Sequence, residues 1–351
     1  MTLDIQDFVA QAGGELTVED IPPAVRKRVN GALEDLTGEE GGPAGPAGDL
    51  YDAVVAKDES GDYTSIQTAV DNVSSGAAIS VEAGTYDEQV SIDTSDITIF
   101  GAGQGETIID AAEGETGTNR ARVTIEASGV TIRGLTVTNT GASASSDEVQ
   151  GIFVGDPVGT DDITDTAITQ VEITDIDGGG AEKSIEGIHA KTYSEGAAVD
   201  GLNISGVTIA GISKSSWGAN GIKIQAGIKN VTISDLTVKN VSGLWAYGVV
   251  LTPSSNEAGV PENVRLENSS IEDVSAIEYT GVGIGIDSTS GDPAASAADP
   301  DELSFGDSVL IRDATIGILD KNAKKTASFD PRPTFRNVET PTSDPSSDSA
   351  S

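Results

Sequence analysis

With no cysteine, a single histidine, and 57 acids against 20 bases, the chain has a narrow chemical repertoire. His189 has no Ser or Cys nucleophile at a recognisable spacing and no metal-ligand companion, so alone it argues for neither nucleophilic catalysis nor a zinc site. Glycoside cleavage would need two or three convergent carboxylates, separated by roughly 5.5 Å or 6.5–9.5 Å according to stereochemical outcome. A recurrent glycine-led segment sets what one face can offer: Gly151-Ile-Phe-Val, Gly187-Ile-His-Ala, Gly221-Ile-Lys-Ile, Gly248-Val-Val-Leu and Gly283-Ile-Gly-Ile. Stacked about 4.8 Å apart, these segments place Phe153, His189, Lys223, Val250 and Gly285 in one outward row. Gly155, Lys191, Gln225, Thr252 and Asp287 form the next. An aromatic ring, the histidine, two lysines and an amide suit sugar or polymer binding better than hydrolysis, because only Asp287 adds a carboxylate. No catalytic residue is assigned, and an ordinary solvated face is the plainer reading of the same rows.

Two further clusters could hold a ligand. Both tryptophans precede a glycine-led segment, in Lys214-Ser-Ser-Trp217 and Ser242-Gly-Leu-Trp245-Ala-Tyr247. Trp217, Trp245 and Tyr247, with Tyr193 nearby, would make a sugar-stacking platform or an intersubunit contact if exposed, and loop packing if not. Asp156, Asp161, Asp162 and Asp165 crowd one inserted loop, and residues 291–307 add Asp292, Asp299, Asp301, Glu302 and Asp307. Such loops can supply oxygens to a structural cation such as calcium, magnesium, sodium or potassium, although EF-hand spacing is absent. No other cofactor is expected.

The elements that must position these groups come from a repeat. Val130, Ile132, Leu135 and Val137 lie at offsets of two, three and two, and the steps recur at Leu202, Ile204, Val207 and Ile209 and at Val231, Ile233, Leu236 and Val238. Weaker copies are Thr166, Ile168, Val171 and Ile173; Val264, Leu266 and Ile271; and Val309, Ile311, Ala314 and Ile316. Period-two alternation marks strands, and the extra residue marks a bend between two of them. With the glycine-led segment, each period offers three short strands, so the sequence predicts an all-β fold, a right-handed parallel β-helix. Asn139, Asp175, Asn240 and Asp273 share one position after the block and are expected to form a structural turn ladder.

Acids spread over the whole chain give a net charge of −37. Such a surface repels itself at low salt and is relieved when molar salt shortens the Debye length to about 3 Å, which points to a halophilic source and away from duplex nucleic acid. No apolar run approaches the roughly 20 residues that span a bilayer. The acidic start, Met1-Thr-Leu-Asp-Ile-Gln-Asp, lacks the features of a secretory signal, so the product is expected to be intracellular at synthesis unless a signal has been removed.

Residues 1–40 read as a helical anchor, with Val25, Val29, Leu33 and Leu36 at helical spacing after Pro23. Gly42, Gly45 and Gly48 head two Gly-Pro-Ala triplets in residues 41–50, which serve either as a stiff linker or as the neck of a homotrimer. The β-helix is expected over 51–337, and a disordered Ser, Thr, Asp and Pro-rich tail over 338–351.

Residues 54–110, with Val54-Val-Ala-Lys-Asp-Glu-Ser-Gly-Asp-Tyr, Ile79-Ser-Val-Glu-Ala-Gly-Thr-Tyr and Ile97-Thr-Ile-Phe-Gly-Ala-Gly, resemble the opening of pectinesterases and related pectin-lyase-like proteins. The resemblance implies a short helix near Ser65–Val73 that caps the end of the β-helix. It stops before the chemistry: the Gln-Asp-Thr-Leu and Asp-Phe-Ile-Phe-Gly blocks that carry the family's catalytic carboxylates are absent, and no catalytic residue carries over. An acidic body with a helical base and a neck looks like a tail fibre, tailspike or capsid turret of a haloarchaeal tailed virus. The leading expectation is thus a non-enzymatic virion subunit, assembled in the host cytoplasm. It would meet other virion proteins through residues 1–40 and a host-surface glycan or glycoprotein through its body. The alternatives are a polysaccharide lyase or glycoside hydrolase, including an enzymatic tailspike, and a cell-surface adhesion protein.

Overall fold

The computed structural model describes residues 51–110, 121–139, 149–156, 161–177, 183–192, 197–225, 227–252, 261–286, 303–320 and 331–343. The proposed anchor and neck, with Val25, Val29, Leu33, Leu36, Gly42, Gly45 and Gly48, lie outside the described residues, as do Tyr193 and Asp287.

All pairings between strands are parallel, and successive coils stack in register as a right-handed β-helix. Three rungs of apolar side chains line its interior. On the first face Ile79, Ile99, Ile132, Ile168, Ile204, Ile233, Leu266 and Phe305 follow one another. Tyr86, Ile109, Val137, Ile173, Ile209, Val238, Ile271 and Ile311 do so on the second. The third carries Val123, Ile152, Ile188, Ile222, Val249, Ile284 and Ile318. Almost all of these are fully buried in one continuous core. Each coil alone would leave its apolar edge in water, and stacking removes it, which is why the repeat drives the fold.

Bends between faces require left-handed backbone, and one set of columns supplies it. Asp165, Gln170 and Asp175 have φ of 56°, 52° and 53°; the next coil uses Gly201, Gly206 and Gly211; the following ones use Asn230, Asp235 and Asn240, then Asn263, Asn268 and Asp273. Short polar side chains tolerate this conformation. They also bond along the axis, Asn263 Nδ2 to Asn230 Oδ1 and Asn230 Nδ2 to Asp200 Oδ1, both at 2.6 Å. Asn139 departs from the expected ladder: the register shifts beside it, and its buried Nδ2 donates to the Asp177 carbonyl at 3.2 Å.

The helix Ile66–Asn72 covers the first coil with Ile66, Ala69 and Val70, as the sequence implied. Ser65 caps it, accepting from Thr68 N, and the Glu88 carboxylate accepts from Ile66 N, Gln67 N and Ser65 Oγ. At the other end two expectations are corrected. The strand Thr334–Ser343 pairs with Leu310–Asp320 and carries the ordered body past residue 337; its Ser, Thr and Pro content hid the alternation. Ile316 does not line the interior but pairs with Val282 on the outer side of the third face, because Leu310–Asp320 runs unbroken across two faces. Among the described residues no helix is long and apolar enough to cross a membrane.

Candidate functional site

The third face is built by the strands Val149–Val154, Ile185–Ala190, Ala219–Ile224, Ala246–Leu251 and Gly281–Ile286, which start two residues before the glycines used to locate them. Simple alternation fails here. Gly151, Gly187, Gly221, Gly248 and Gly283 form an inward column, and a Cβ on Gly221 would lie 2.5 Å from the Gly248 carbonyl oxygen and 2.7 Å from Val238 Cγ1. Glycine is required by lack of room. Two inward positions, the glycine and the following Ile or Val, therefore separate two outward ones.

Sequence reasoning found the second outward position and missed the first: Gln150, Glu186, Asn220, Tyr247 and Val282, in register across adjacent coils. The signal was present, since each of these residues immediately precedes a column glycine. Taking the glycine as the strand start concealed it.

Both sides of this sheet are buried, so the expectation of a solvated outward row is corrected. Phe153 and His189 are 0% exposed, as is Glu186, and Gln150, Asn220 and Gln225 are buried with them. Lys223, whose side chain is 14% exposed, and Lys191 reach toward solvent. Glu186 Oε1 accepts from Ser184 Oγ at 2.7 Å and from Asn220 Nδ2 at 3.3 Å, and pairs with Lys223 Nζ at 3.4 Å. A buried carboxylate is tolerated only with such partners.

Beside this group runs a second chain of contacts. Gln150 Nε2 lies 2.8 Å from His189 Nδ1, and His189 Nε2 lies 2.7 Å from Gln225 Oε1. With the Gln150 amide donating to Nδ1, the ring proton sits on Nε2 and is given to Gln225. The Phe153 ring meets the imidazole edge-to-face at 5.6 Å. Burial, then the charges of Lys223 and Lys191, holds the His189 pKa well below its ordinary value, although the Gln225 bond opposes them. His189 is a neutral imidazole. Lys191, Gln225 and Thr252 continue the row in register, as expected from sequence.

Farther along the axis the outward surface turns apolar. Tyr247, Val250 and Val282 are buried together, with Trp245, Ile316 and Leu319 against them. Tyr247 thus belongs to packing and not to an exposed platform. Trp217 and Trp245 do meet, edge-to-face with centroids 5.5 Å apart, and Tyr279, which sequence reasoning missed, lies 6.1 Å beyond Trp245.

Of the acidic-loop candidates, Asp292, Asp299, Asp301 and Glu302 lie outside the described residues, and the described ones are not drawn into one cluster. Asp161, Asp162 and Asp165 are exposed, Asp162 Oδ1 accepts from Ala198 N at 2.8 Å, and Asp165 forms a left-handed bend. Asp156 instead stands near Glu126, whose carboxyl is pushed up first by burial and then by Asp156 and Asp93. Among the described residues no group of three or more His, Cys, Asp or Glu is disposed to hold a metal ion.

Comparison with known proteins adds a local likeness. A family model for pectinesterase matches residues 52–156. A probable pectinesterase/pectinesterase inhibitor of Arabidopsis thaliana is 36% identical over 109 residues, 29% of this chain and 21% of that protein, so the chain spans about a fifth of that relative's length. Among solved structures, carrot pectin methylesterase is 19% identical, with 85% of this chain and 90% of that one covered at a TM-score of 0.36. The A-module of a mannuronan C-5 epimerase from Azotobacter vinelandii is 18% identical, with 79% and 92% covered at 0.38. The pectinesterase matches overturn the expectation of a non-catalytic virion fibre or turret, since the segment that aligns does so with enzyme sequences. The matched segment ends at Asp156 and includes Gln150, whereas Glu186, His189 and Lys223 lie beyond it.

Proposed function

We propose that the chain is a polysaccharide-modifying enzyme that hydrolyses esters on an acidic, uronate-bearing polymer at the Glu186, Asn220 and Lys223 cluster of the third face. One observation carries this reading: a fully buried carboxylate, held by a hydroxyl, a carboxamide and an ammonium group, on the sheet whose first described coils fall in the pectinesterase-like segment. Buried charge with specific partners is expensive for stability alone and is a common mark of a reaction centre. Ester hydrolysis needs one base and donors for the oxyanion, and this set provides both. In this reading Glu186, which is fully buried and has to be uncovered to react, accepts a proton from the attacking water. The N–H groups of Asn220 Nδ2 and Lys223 Nζ that are not given to Glu186 Oε1 serve the developing oxyanion, and the proton passes to the departing alkoxide, leaving acid and alcohol. Glycoside hydrolysis fits less well, because it requires a second carboxylate facing the first, and the acids of the neighbouring outward row, Asp93 and Glu126, belong to earlier coils, whereas Glu186 is bonded to Ser184, Asn220 and Lys223.

The reading is tested with methyl-esterified polygalacturonate in molar KCl, which screens the net charge of −37. Methanol release by the wild type, lowered about 100-fold or more in Glu186→Gln, is the expected result. Chain shortening or unsaturated ends without methanol would replace ester hydrolysis with backbone cleavage. No change in the polymer at all would remove the enzymatic reading.

A further inference from the structure

Large apolar side chains on the described surface are concentrated at one corner: Trp217 is 42% exposed, Ile277 61% and Tyr279 66%, and no other large hydrophobic among the described residues is classed as exposed. The corner lies where the second face turns into the third, and three consecutive coils each give it one ring. Trp217, Trp245 and Tyr279 form a continuous run along the rod axis, each ring edge-to-face with the next at 5.5 Å and 6.1 Å.

The backbone that carries the rings is fixed before any ligand arrives. Leu244 N donates to the Trp217 carbonyl at 2.7 Å, Ala219 N to the Trp245 carbonyl at 3.0 Å, and Tyr279 N to the Leu244 carbonyl at 3.1 Å, stitching the three corners together. The Trp245 indole fills the space over Gly218 that any side chain there would need. Rings on a fixed backbone lose less freedom on binding.

Two features indicate what binds. In a chain with 57 acids, the stretches Ser213–Ala219 and Ser242–Tyr247 contain none and carry one lysine, Lys214, so an anionic polymer meets little repulsion along Trp217 and Trp245 and a single exposed acid, Glu278, at the Tyr279 end. The run also leads directly into the strands that carry the proposed reaction centre: Trp217 is three residues before Asn220, the Glu186 partner, and Asn220 is in register with Tyr247, two residues after Trp245. We propose that Trp217, Trp245 and Tyr279 form a subsite that stacks sugar rings of an acidic polysaccharide laid along the helix axis, beside the Glu186 cluster. The apolar faces of pyranose rings cover aromatic surface otherwise exposed to water, while hydroxyls and carboxylates stay solvated. This inference rests on the polysaccharide reading but not on the identity of the reaction.

Both tryptophans of the chain belong to the subsite, so intrinsic tryptophan emission reports on it alone. Full-length protein in molar KCl is titrated with polygalacturonate oligomers, esterified and de-esterified, and with uncharged dextran, while methanol release is followed separately. Saturable emission changes with the uronate oligomers are expected, with affinity weakened about tenfold in Trp217→Ala and in Tyr279→Ala, partly restored in Trp217→Phe, and retained in Glu186→Gln. A response without methanol release keeps the subsite and removes the esterase reading. Methanol release with emission and affinity untouched in both ring variants overturns the subsite and keeps the esterase. An oligomer in light scattering that falls apart in Trp217→Ala, with no response to any glycan, makes the corner an interface between copies and overturns the proposal.

Discussion

Lys223 and Glu186 form an ion pair across adjacent coils in which the carboxylate is fully shielded and the ammonium only 14% exposed, Nζ to Oε1 at 3.4 Å. The arrangement is asymmetric in its consequences. Removing the lysine strands a buried negative charge, whereas removing both charges strands nothing. Lys223→Met should lower unfolding free energy by about 3 kcal/mol, and the Glu186→Gln, Lys223→Met double variant should recover most of it. Guanidinium unfolding at constant molar KCl measures both. Equal loss in the single and double variants would mean that the pair is incidental to stability.

His189 sets a pH dependence with a definite sign. Its unfolded imidazole takes a proton near pH 6.5, while the folded one, buried between Gln150 and Gln225, stays neutral to well below that. Between those limits the unfolded state binds the extra proton, so stability falls as pH is lowered from about 6.5, at up to about 1.4 kcal/mol per pH unit from this group. Gln in place of His189 can accept from Gln150 and donate to Gln225 without titrating. Thermal melts of wild type and His189→Gln at a series of pH values should diverge below 6.5 and run parallel above it.

The column of glycines predicts intolerance to a single methyl group. Gly221→Ala sets a Cβ 2.5 Å from the Gly248 carbonyl and 2.7 Å from Val238 Cγ1, both in packed surroundings. Neither neighbour is the free end of a flexible chain, so the coils must part or the strand must shift. A loss of roughly 1–3 kcal/mol is expected from overpacking, read as a lower denaturant midpoint. Ala at Gly105, where a Cβ would touch nothing within 4 Å but φ is +76°, should cost less, about 1 kcal/mol from backbone conformation alone.

How far the sequence carried these conclusions varies by element. The offsets of two, three and two around Val130, Leu202 and Val231 specified the interior, because burial on one side of a strand imposes strict alternation. The turn ladder was legible for the same reason: left-handed bends admit few residue types. The reaction-centre candidates were half legible. His189, Lys223 and Gln225 follow the glycine with ordinary alternation, but Gln150, Glu186 and Asn220 precede it, across two successive inward positions that break the period. Trp217 and Trp245 were found as corner neighbours from their matching place just before the third-face glycines Gly221 and Gly248. Tyr279 was not, although it stands four residues before Gly283 as Trp217 does before Gly221, because the Ile277-Glu-Tyr corner carries no tryptophan to mark it. Function was the least legible, since acidity and a β-helix are common to virion proteins and carbohydrate enzymes alike.

The capped end offers the last test. Glu88 sits more than fifteen residues from the helix it serves, yet its carboxylate takes Ile66 N at 2.8 Å, Gln67 N at 3.1 Å and Ser65 Oγ at 2.6 Å. Ile66 N and Gln67 N are amides at the start of Ile66–Asn72 that lack partners within a helix, Ser65 is its capping residue, and the carboxylate also complements the positive end of the helix dipole. Gln67 then ties the helix to the first coil, with Ser91 N donating to Oε1 at 2.6 Å and Nε2 donating to the Ser91 carbonyl at 3.1 Å. Glu88→Gln keeps the shape but replaces one acceptor oxygen with a donor and removes the charge. A loss of about 1–2 kcal/mol is expected. Hydrogen exchange should rise in residues 66–72 and in the strand Ala53–Val55 beneath them before it rises at the Ile204 and Ile233 rungs. Uniform acceleration along the whole rod would show instead that the cap is not a separate unit and that the solenoid unfolds from elsewhere.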